Sequence, residues 1–259
     1  MLERGEGEGG YLNRRSFPDM VFSLPARGRL MSDVDKWYRD YWARHKVREV
    51  MYQTLRAPCL SCEDRPELNE YEQAIFDRTR QAKRLLDYGG GDNRLKRKFL
   101  AAGFAGRYET LDISSEEKHE YASLAEISGE FDAILCLEVI EHMSLNDYVE
   151  LMDAFGKLLA PGGVLVLSTP NPLCVVPMWA GDPGHVQQYP IADLAADLVV
   201  RGHEVEAFRV RYGAWPKGIA PRLRFFAMRA LCYLLSVDYA HGIVVIGRKK
   251  LPGTADLPH

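Results

Sequence analysis

Three consecutive glycines behind a short apolar run constrain this chain more than any other feature. Residues 84 to 93 read Arg-Leu-Leu-Asp-Tyr-Gly-Gly-Gly-Asp-Asn, and a helical pattern follows. A run of that length suits a buried parallel strand, while the glycines permit the positive φ and close backbone approach that a tight ligand loop needs. The next helix offers free N–H groups at its start. A dinucleotide would require Gly-x-Gly-x-x-Gly, but the register puts Arg94 where the third glycine belongs. Asp87 and Asp92 flank the loop, and carboxylates repel a diphosphate while attracting a cationic group.

The segment from Leu85 to Gly91 resembles the first motif of class I S-adenosylmethionine-dependent methyltransferases, an acidic residue followed by glycines. That cofactor carries an ammonium and a sulfonium and no phosphate. The family's last glycine is replaced by Asn93, which tolerates left-handed backbone better than most residues. Arg107 to Ile113 reads as the next strand and ends in an acidic residue about 20 positions past the glycines, a spacing that suits a carboxylate accepting from both ribose hydroxyls. Residues 130 to 142, Glu-Phe-Asp-Ala-Ile-Leu-Cys-Leu-Glu-Val-Ile-Glu-His, are similar to the fourth-strand motif of the subgroup containing ubiquinone-biosynthesis O-methyltransferases. A helix from about Ser144, then Pro161-Gly162-Gly163 and a strand from Val164 to Ser168, resemble the family's next block. The resemblance implies a Rossmann-like, doubly wound α/β fold with a seven-stranded, mostly parallel sheet. It assigns cofactor contacts to Asp87, Tyr88, Gly89, Gly90, Gly91, Asp112, Ile113, Leu137 and Glu138. The family's third strand, where the adenine is usually held, has no clear counterpart in His119 to Ser123.

The other segments fall around this frame. Residues 1–30, rich in Gly, Glu and Arg, read as a loose arm, and Met31-Ser32-Asp33 resembles a natural start. Residues 31–64 read as a helical lid, opened by a capping box at Ser32 and Asp35 and carrying Trp37, Tyr38, Tyr41 and Trp42 as a broad apolar face. The methyltransferase domain is expected over 65–250 and a tail over 251–259. Within the domain, Glu67 to Arg84 reads as a helix, and Leu95, Phe99 and Leu100 as the buried face of the helix after the glycines. Arg94, Lys96, Arg97 and Lys98 read as its solvated face. The long loop from Leu173 to Tyr189, with Met178, Trp179, His185 and Gln187, is placed to carry specificity. Ile191 to Arg201 reads as a helix, His203 to Arg211 and Gly242 to Arg248 as the last strands. Between them, Pro221 to Leu235 mixes apolar residues with Arg222, Arg224 and Arg229, a pattern that suits a cover for the sheet, a dimer partner, an apolar substrate or a membrane surface.

Composition excludes several classes. A net charge of −3 gives no global pull toward nucleic acid. No apolar run reaches the roughly 20 residues a membrane helix needs, and nothing resembles a signal peptide, so a cytoplasmic location is expected. Five cysteines without a secretion signal read as free thiols; Cys59 and Cys62 have half-zinc-site spacing but no second pair, and read as thiols in a Pro-flanked loop.

For the chemistry, a sulfonium methyl is displaced in line, and a hydroxyl acceptor benefits from a base. His142, delivered by the fourth strand, is the first candidate; His185, from the specificity loop, the second; Glu138 stands beside them. Glu138, Glu141, His142 and His185 could together bind a divalent metal, as in small-RNA 2′-O-methyltransferases, which this pattern resembles. The chain lacks their upstream Phe-x-Pro-Pro motif, so no residue is assigned as a metal ligand. The sequence therefore points to a methyltransferase using S-adenosyl-L-methionine on a hydroxyl or amine of a small-molecule acceptor, with a metal-dependent RNA 2′-O-methyltransferase, or a cofactor-binding methyltransferase-like protein without turnover, as the alternatives. Nucleic acid is not the expected partner, and a homodimer is an open expectation.

Overall fold

The computed structural model describes residues 37–251 and 253, apart from 39, 115, 177 and 178, and for Trp179 the backbone only. The loose arm, the Ser32–Asp35 capping box, the Met31 start, Met178 and nearly all of the tail lie outside the described residues. In chain order the elements are α1 (Tyr41–Thr54), β1 (Cys59–Cys62), α2 (Glu70–Thr79), β2 (Arg84–Tyr88), α3 (Arg94–Ala101), β3 (Arg107–Leu111), β4 (Phe131–Leu137), α4 (Leu145–Leu158), β5 (Leu159–Pro170), α5 (Ile191–Val200), β6 (His203–Tyr212), α6 (Ile219–Leu234) and β7 (Gly242–Lys249).

The seven strands form one sheet in the order β1-β6-β7-β5-β4-β2-β3. Only β7 runs antiparallel to its neighbours, β5 and β6. Successive side chains of β2 feed opposite faces, as the pleat requires. Leu85 packs with Ile75, Phe76 and Phe99 of α2 and α3. Leu86 packs with Tyr148, Phe155 and Leu194 of α4 and α5. Buried on both faces, the central strands are near-continuously apolar, and Leu85, Leu86, Ala133, Ile134 and Leu135 are fully buried.

The expected number of strands is correct, but their membership is not. Cys59 to Cys62, read from sequence as a thiol-bearing loop, pairs in parallel with β6, Cys59 opposite Arg209. The expected third strand contributes a single bridge, Tyr121 to Leu111. Leu159 already belongs to β5, which runs through the Pro-Gly-Gly segment; its pairing with β4 jumps from Phe131↔Leu159 to Ala133↔Val164.

The N-terminal helical region also corrects the expected aromatic face. Trp37 packs edge-on to Tyr148, 6.1 Å between ring centroids, but Tyr38, Tyr41 and Trp42 are exposed. Its anchor is polar instead: Arg44, stacked over the Trp37 ring at 3.7 Å, reaches buried Asp197 of α5 at 3.4 Å. Tyr148 and Arg201 donate to the other oxygen of the same carboxylate, each at 2.8 Å. On α3, Lys98 is not solvated. It is buried and donates to Glu72 of α2 at 2.8 and 2.9 Å, while Leu100 is exposed.

Candidate functional site

In doubly wound sheets ligands sit beyond the carboxyl ends of the strands, and there β2 turns into the glycine loop. Gly89 and Gly91 have φ of +81° and +51°, and Asn93 has φ of 59°, the left-handed conformation expected of it. Gly90 serves a different need: a Cβ there would stand 2.9 Å from the Cβ of Thr110, so its absence lets the loop lie against β3. The amides of Gly89 and Gly90 donate to the Leu111 carbonyl at 2.8 and 3.2 Å. Asp112 holds the far side of the loop, accepting from the amides of Gly91 and Ser114, both at 2.8 Å.

A cleft of about 330 Å³ opens between this loop and the end of β4. Asp87, Gly89, Gly90, Leu137 and Glu138 line it from the expected set, with Cys62, Tyr71, Asp92, Arg94 and Tyr212 around them. The remaining expected cofactor residues are placed otherwise. The Tyr88 ring points to the opposite face of the sheet, T-shaped on Phe155 at 5.4 Å, which leaves its backbone alone at the loop. Asp112 borders the loop on the side of β3, and next to it Ile113 is 93% exposed.

Two carboxyls of the cleft are perturbed. Asp87 is buried and accepts from the Tyr108 hydroxyl at 2.7 Å; burial pushes it up to about 6. Solvent reaches Glu138 along the open side of the cleft, but protein encloses its carboxylate elsewhere. That enclosure first, and neighbouring Glu141 second, push it up to about 7. Glu138 sits at φ 55°, a strained conformation for a residue with a side chain, of the kind that collects at functional sites. The strain is held by neighbours. The Glu138 amide donates to the Ser168 carbonyl at 3.1 Å, and the Ser168 hydroxyl donates back to its carboxylate at 2.7 Å. Tyr71 donates to that hydroxyl at 3.3 Å, and Tyr212 to the other Glu138 oxygen at 3.5 Å.

Sequence reading missed Tyr71, Ser168 and Tyr212 as cleft residues. The available signal for Tyr71 was its place on the apolar side of the helix that precedes the loop, one turn before Ile75; Ser168 and Tyr212 gave none, because they arrive through sheet pairing.

Behind Glu138 the chain makes a single helical turn, Ile140–His142. The Glu141 carbonyl accepts from the amides of Val186 and Gln187 at 2.8 and 3.1 Å, which ties the specificity loop to the end of β4. His185 is thereby brought beside His142, ring centroids 4.8 Å apart, and Gly184 permits the approach, since a Cβ there would lie 3.0 Å from His142 Nδ1. Ligand atoms of Glu141, His142 and His185 all lie within 4.8 Å of one another. Glu141 is 1% exposed, and among the described residues neither carboxylate oxygen has a hydrogen bond of good geometry, the Thr169 side chain being a neighbour that favours its ionised form. Two imidazoles and a carboxylate suit a divalent transition metal better than magnesium.

A second cavity, of about 630 Å³, lies beyond Tyr212, lined by Val175, Val176, Phe225, Met228, Tyr239 and His241 among others. His241 stacks on Tyr212 at 5.4 Å with 9° between planes, so the stacked pair separates this cavity from the cleft.

Comparison with known proteins agrees with this architecture. The family described as Methyltransferase domain matches residues 63–207. A ubiquinone biosynthesis O-methyltransferase of Caulobacter vibrioides is 32% identical over 127 residues, covering 40% of this chain and 50% of that protein. One from Psychrobacter cryohalolentis is 52% identical over 44 residues, 17% of this chain and 16% of that protein. The chain thus spans half or less of the length of these curated relatives. A crystal structure of a SAM-dependent methyltransferase from Archaeoglobus fulgidus superposes with a TM-score of 0.52 at 13% identity, over 83% of this chain and 99% of that one, a likeness of fold.

Proposed function

The chain belongs to the methyltransferase-domain family of class I S-adenosylmethionine-dependent enzymes, and from that premise we propose that it moves a methyl group to a hydroxyl, or an amine, of a small-molecule acceptor. The observation that carries the reading is the common cleft of the β2 glycine loop and the end of β4. The residues there fit the cofactor: Gly90 lets the loop lie close against β3, Asp87 and Glu138 offer anionic partners for a cationic ligand, and Asp112 stands at the ribose spacing. When bound, the cofactor supplies a methyl on a sulfonium. The protein's part is to hold the acceptor in line and take its proton. His142, with His185 beside it, is proposed as the base, and Glu138, at the mouth of the cleft, as the group that orients the reacting ends. The apolar cavity behind Tyr212 and His241 suits the body of the acceptor, in keeping with the relatives' names, which specify O-methylation in ubiquinone biosynthesis.

The test is turnover of S-adenosylmethionine to S-adenosylhomocysteine over a panel of phenols, amines and ribose-containing acceptors, with His142→Asn and His185→Asn alongside. A base role predicts turnover lower by about 10²–10⁴-fold in one of the two variants, with affinity for S-adenosylhomocysteine retained. Equal turnover in all three proteins rules out both histidines as the base.

A pH effect follows from the two raised carboxyls. The folded protein holds protons that the unfolded chain has released, so their contribution to stability is full below about pH 4 and is lost as pH rises through about 6 and then about 7. A cationic ligand favours the ionised forms. Calorimetric titration with S-adenosylmethionine, whose sulfonium adds the positive charge, at pH 6 in two buffers of different ionisation enthalpy and without acceptor, is therefore expected to show net proton release, and none at pH 8.5. Proton uptake at pH 6 refutes this assignment.

A second reading, metal-assisted methylation of a ribose hydroxyl in RNA, draws on the Glu141, His142 and His185 cluster with its buried carboxylate. Turnover on a ribose acceptor that is lost on dialysis against a chelator and restored by manganese favours it; chelator-insensitive turnover on phenols removes it.

A further inference from the structure

We propose that the outer face of α6 seats the protein on an anionic lipid bilayer. This helix is held to the body along one line only: Cys232 is buried, and half-buried Phe225 packs edge-on to Trp215 and Tyr239, each at 5.8 Å. Around the opposite side, Ile219, Leu223, Phe226 and Leu234 recur at steps of four, three and eight residues, which places them on one stripe. They are 82%, 65%, 60% and 77% exposed. An apolar stripe of this size facing outward marks an interaction surface.

Charge decides what meets it. Residues 213–237 contain Lys217, Arg222, Arg224 and Arg229 and no Asp or Glu, in a chain of net charge −3. At 100° per residue Arg222 and Arg229 fall on one flank of the stripe and Arg224 on the other. Among the described residues none of these four cations is paired with a carboxylate. An apolar strip between rows of arginine matches a surface with acyl chains inside and anionic headgroups outside. A second copy does not match. Twofold packing of the stripe on itself would bring arginine rows together with no acidic residue on the helix to meet them. At 16 residues the helix lies on a bilayer rather than spanning it.

The full chain is sedimented with vesicles of phosphatidylcholine, and of phosphatidylcholine with about one-third phosphatidylglycerol, a composition rich enough to carry a negative surface potential. Binding to the anionic vesicles alone is expected, weakening as salt rises. Arg222→Gln with Arg229→Gln is expected to lower the partition coefficient about 30-fold, from roughly a factor of five for each cation near the surface. Leu223→Ser with Phe226→Ser is expected to lower it by about tenfold or more. Both variants should keep wild-type affinity for S-adenosylhomocysteine, because none of the four residues lines the cleft. Three results overturn the proposal: no binding by the wild-type protein; binding unchanged in both variants; or a dimer in light scattering that the Leu223→Ser and Phe226→Ser pair dissolves. Loss of S-adenosylhomocysteine affinity in both variants overturns it too, by making the stripe part of the folded core.

Discussion

Gly89→Ala is expected to weaken S-adenosylhomocysteine binding by about 100-fold or more, from two costs of similar size. A side chain at φ +81° is disfavoured by roughly 1–2 kcal/mol. The new Cβ would also lie 2.4 Å from Cγ2 of Val139, the residue after Glu138, so the loop or the end of β4 must move. Together about 3 kcal/mol corresponds to about 100-fold in affinity. Gly103→Ala is the control. Gly103 has φ +89° but nothing within 4 Å of its Cβ position, so the change strains the backbone far from the cleft. It should lower the melting temperature and leave ligand affinity alone. Calorimetry on the two variants decides the matter, and a Gly89→Ala protein binding within threefold of wild type means the loop does not touch the cofactor.

Asp197→Ala is expected to cost about 3–5 kcal/mol of stability, the usual consequence of leaving buried charge unpaired. Its carboxylate gathers Arg44, Tyr148 and Arg201 in a place where water is scarce. At about 2–4 °C per kcal/mol for a domain of this size, the melting temperature should fall by about 10 °C. The substitution should also release the N-terminal helix, since Arg44 is the one buried residue of α1. Hydrogen exchange across Tyr41–Thr54 rising well above that of α4 would report that release. A loss below about 1 kcal/mol would mean that solvent takes over the role of the carboxylate.

These two residues also show where the sequence was readable. Gly89 lies in a motif whose parts are neighbours in the chain, and the same holds for Asn93 and for the Ser144 cap, whose hydroxyl accepts from the Asp147 amide at 3.3 Å. Local geometry there follows from local residues. Asp197 sits in an apolar helix where nothing marks it as a partner for Arg44, 153 residues away. The same limit explains Lys98, whose partner Glu72 comes from another helix, and the aromatic residues of the N-terminal region, whose spacing indicated a buried face but whose burial depended on what packed against them. Strand membership failed for a related reason. Four residues with Ser61 among them carry no period strong enough to separate a strand from a loop, and sheet edges are chosen by partners. Among the residues proposed for the cofactor, Asp87, Gly89, Gly90, Leu137 and Glu138 share one cleft, because strand ends deliver them there. Tyr88 turns away by the simple alternation of a strand.

The strand β1 carries a consequence for how the protein is made. Cys62 lines the cleft, yet β1 is held by β6, Cys59 pairing with Arg209 150 positions later. During synthesis the glycine loop, β3 and β4 can assemble while β1 still waits for its partner, and closing so long a loop is slow. Because β6 joins the sheet through β7, the nascent chain is expected to carry an open, one-walled groove until Gly242–Lys249 has been made, and to complete the ligand site only then.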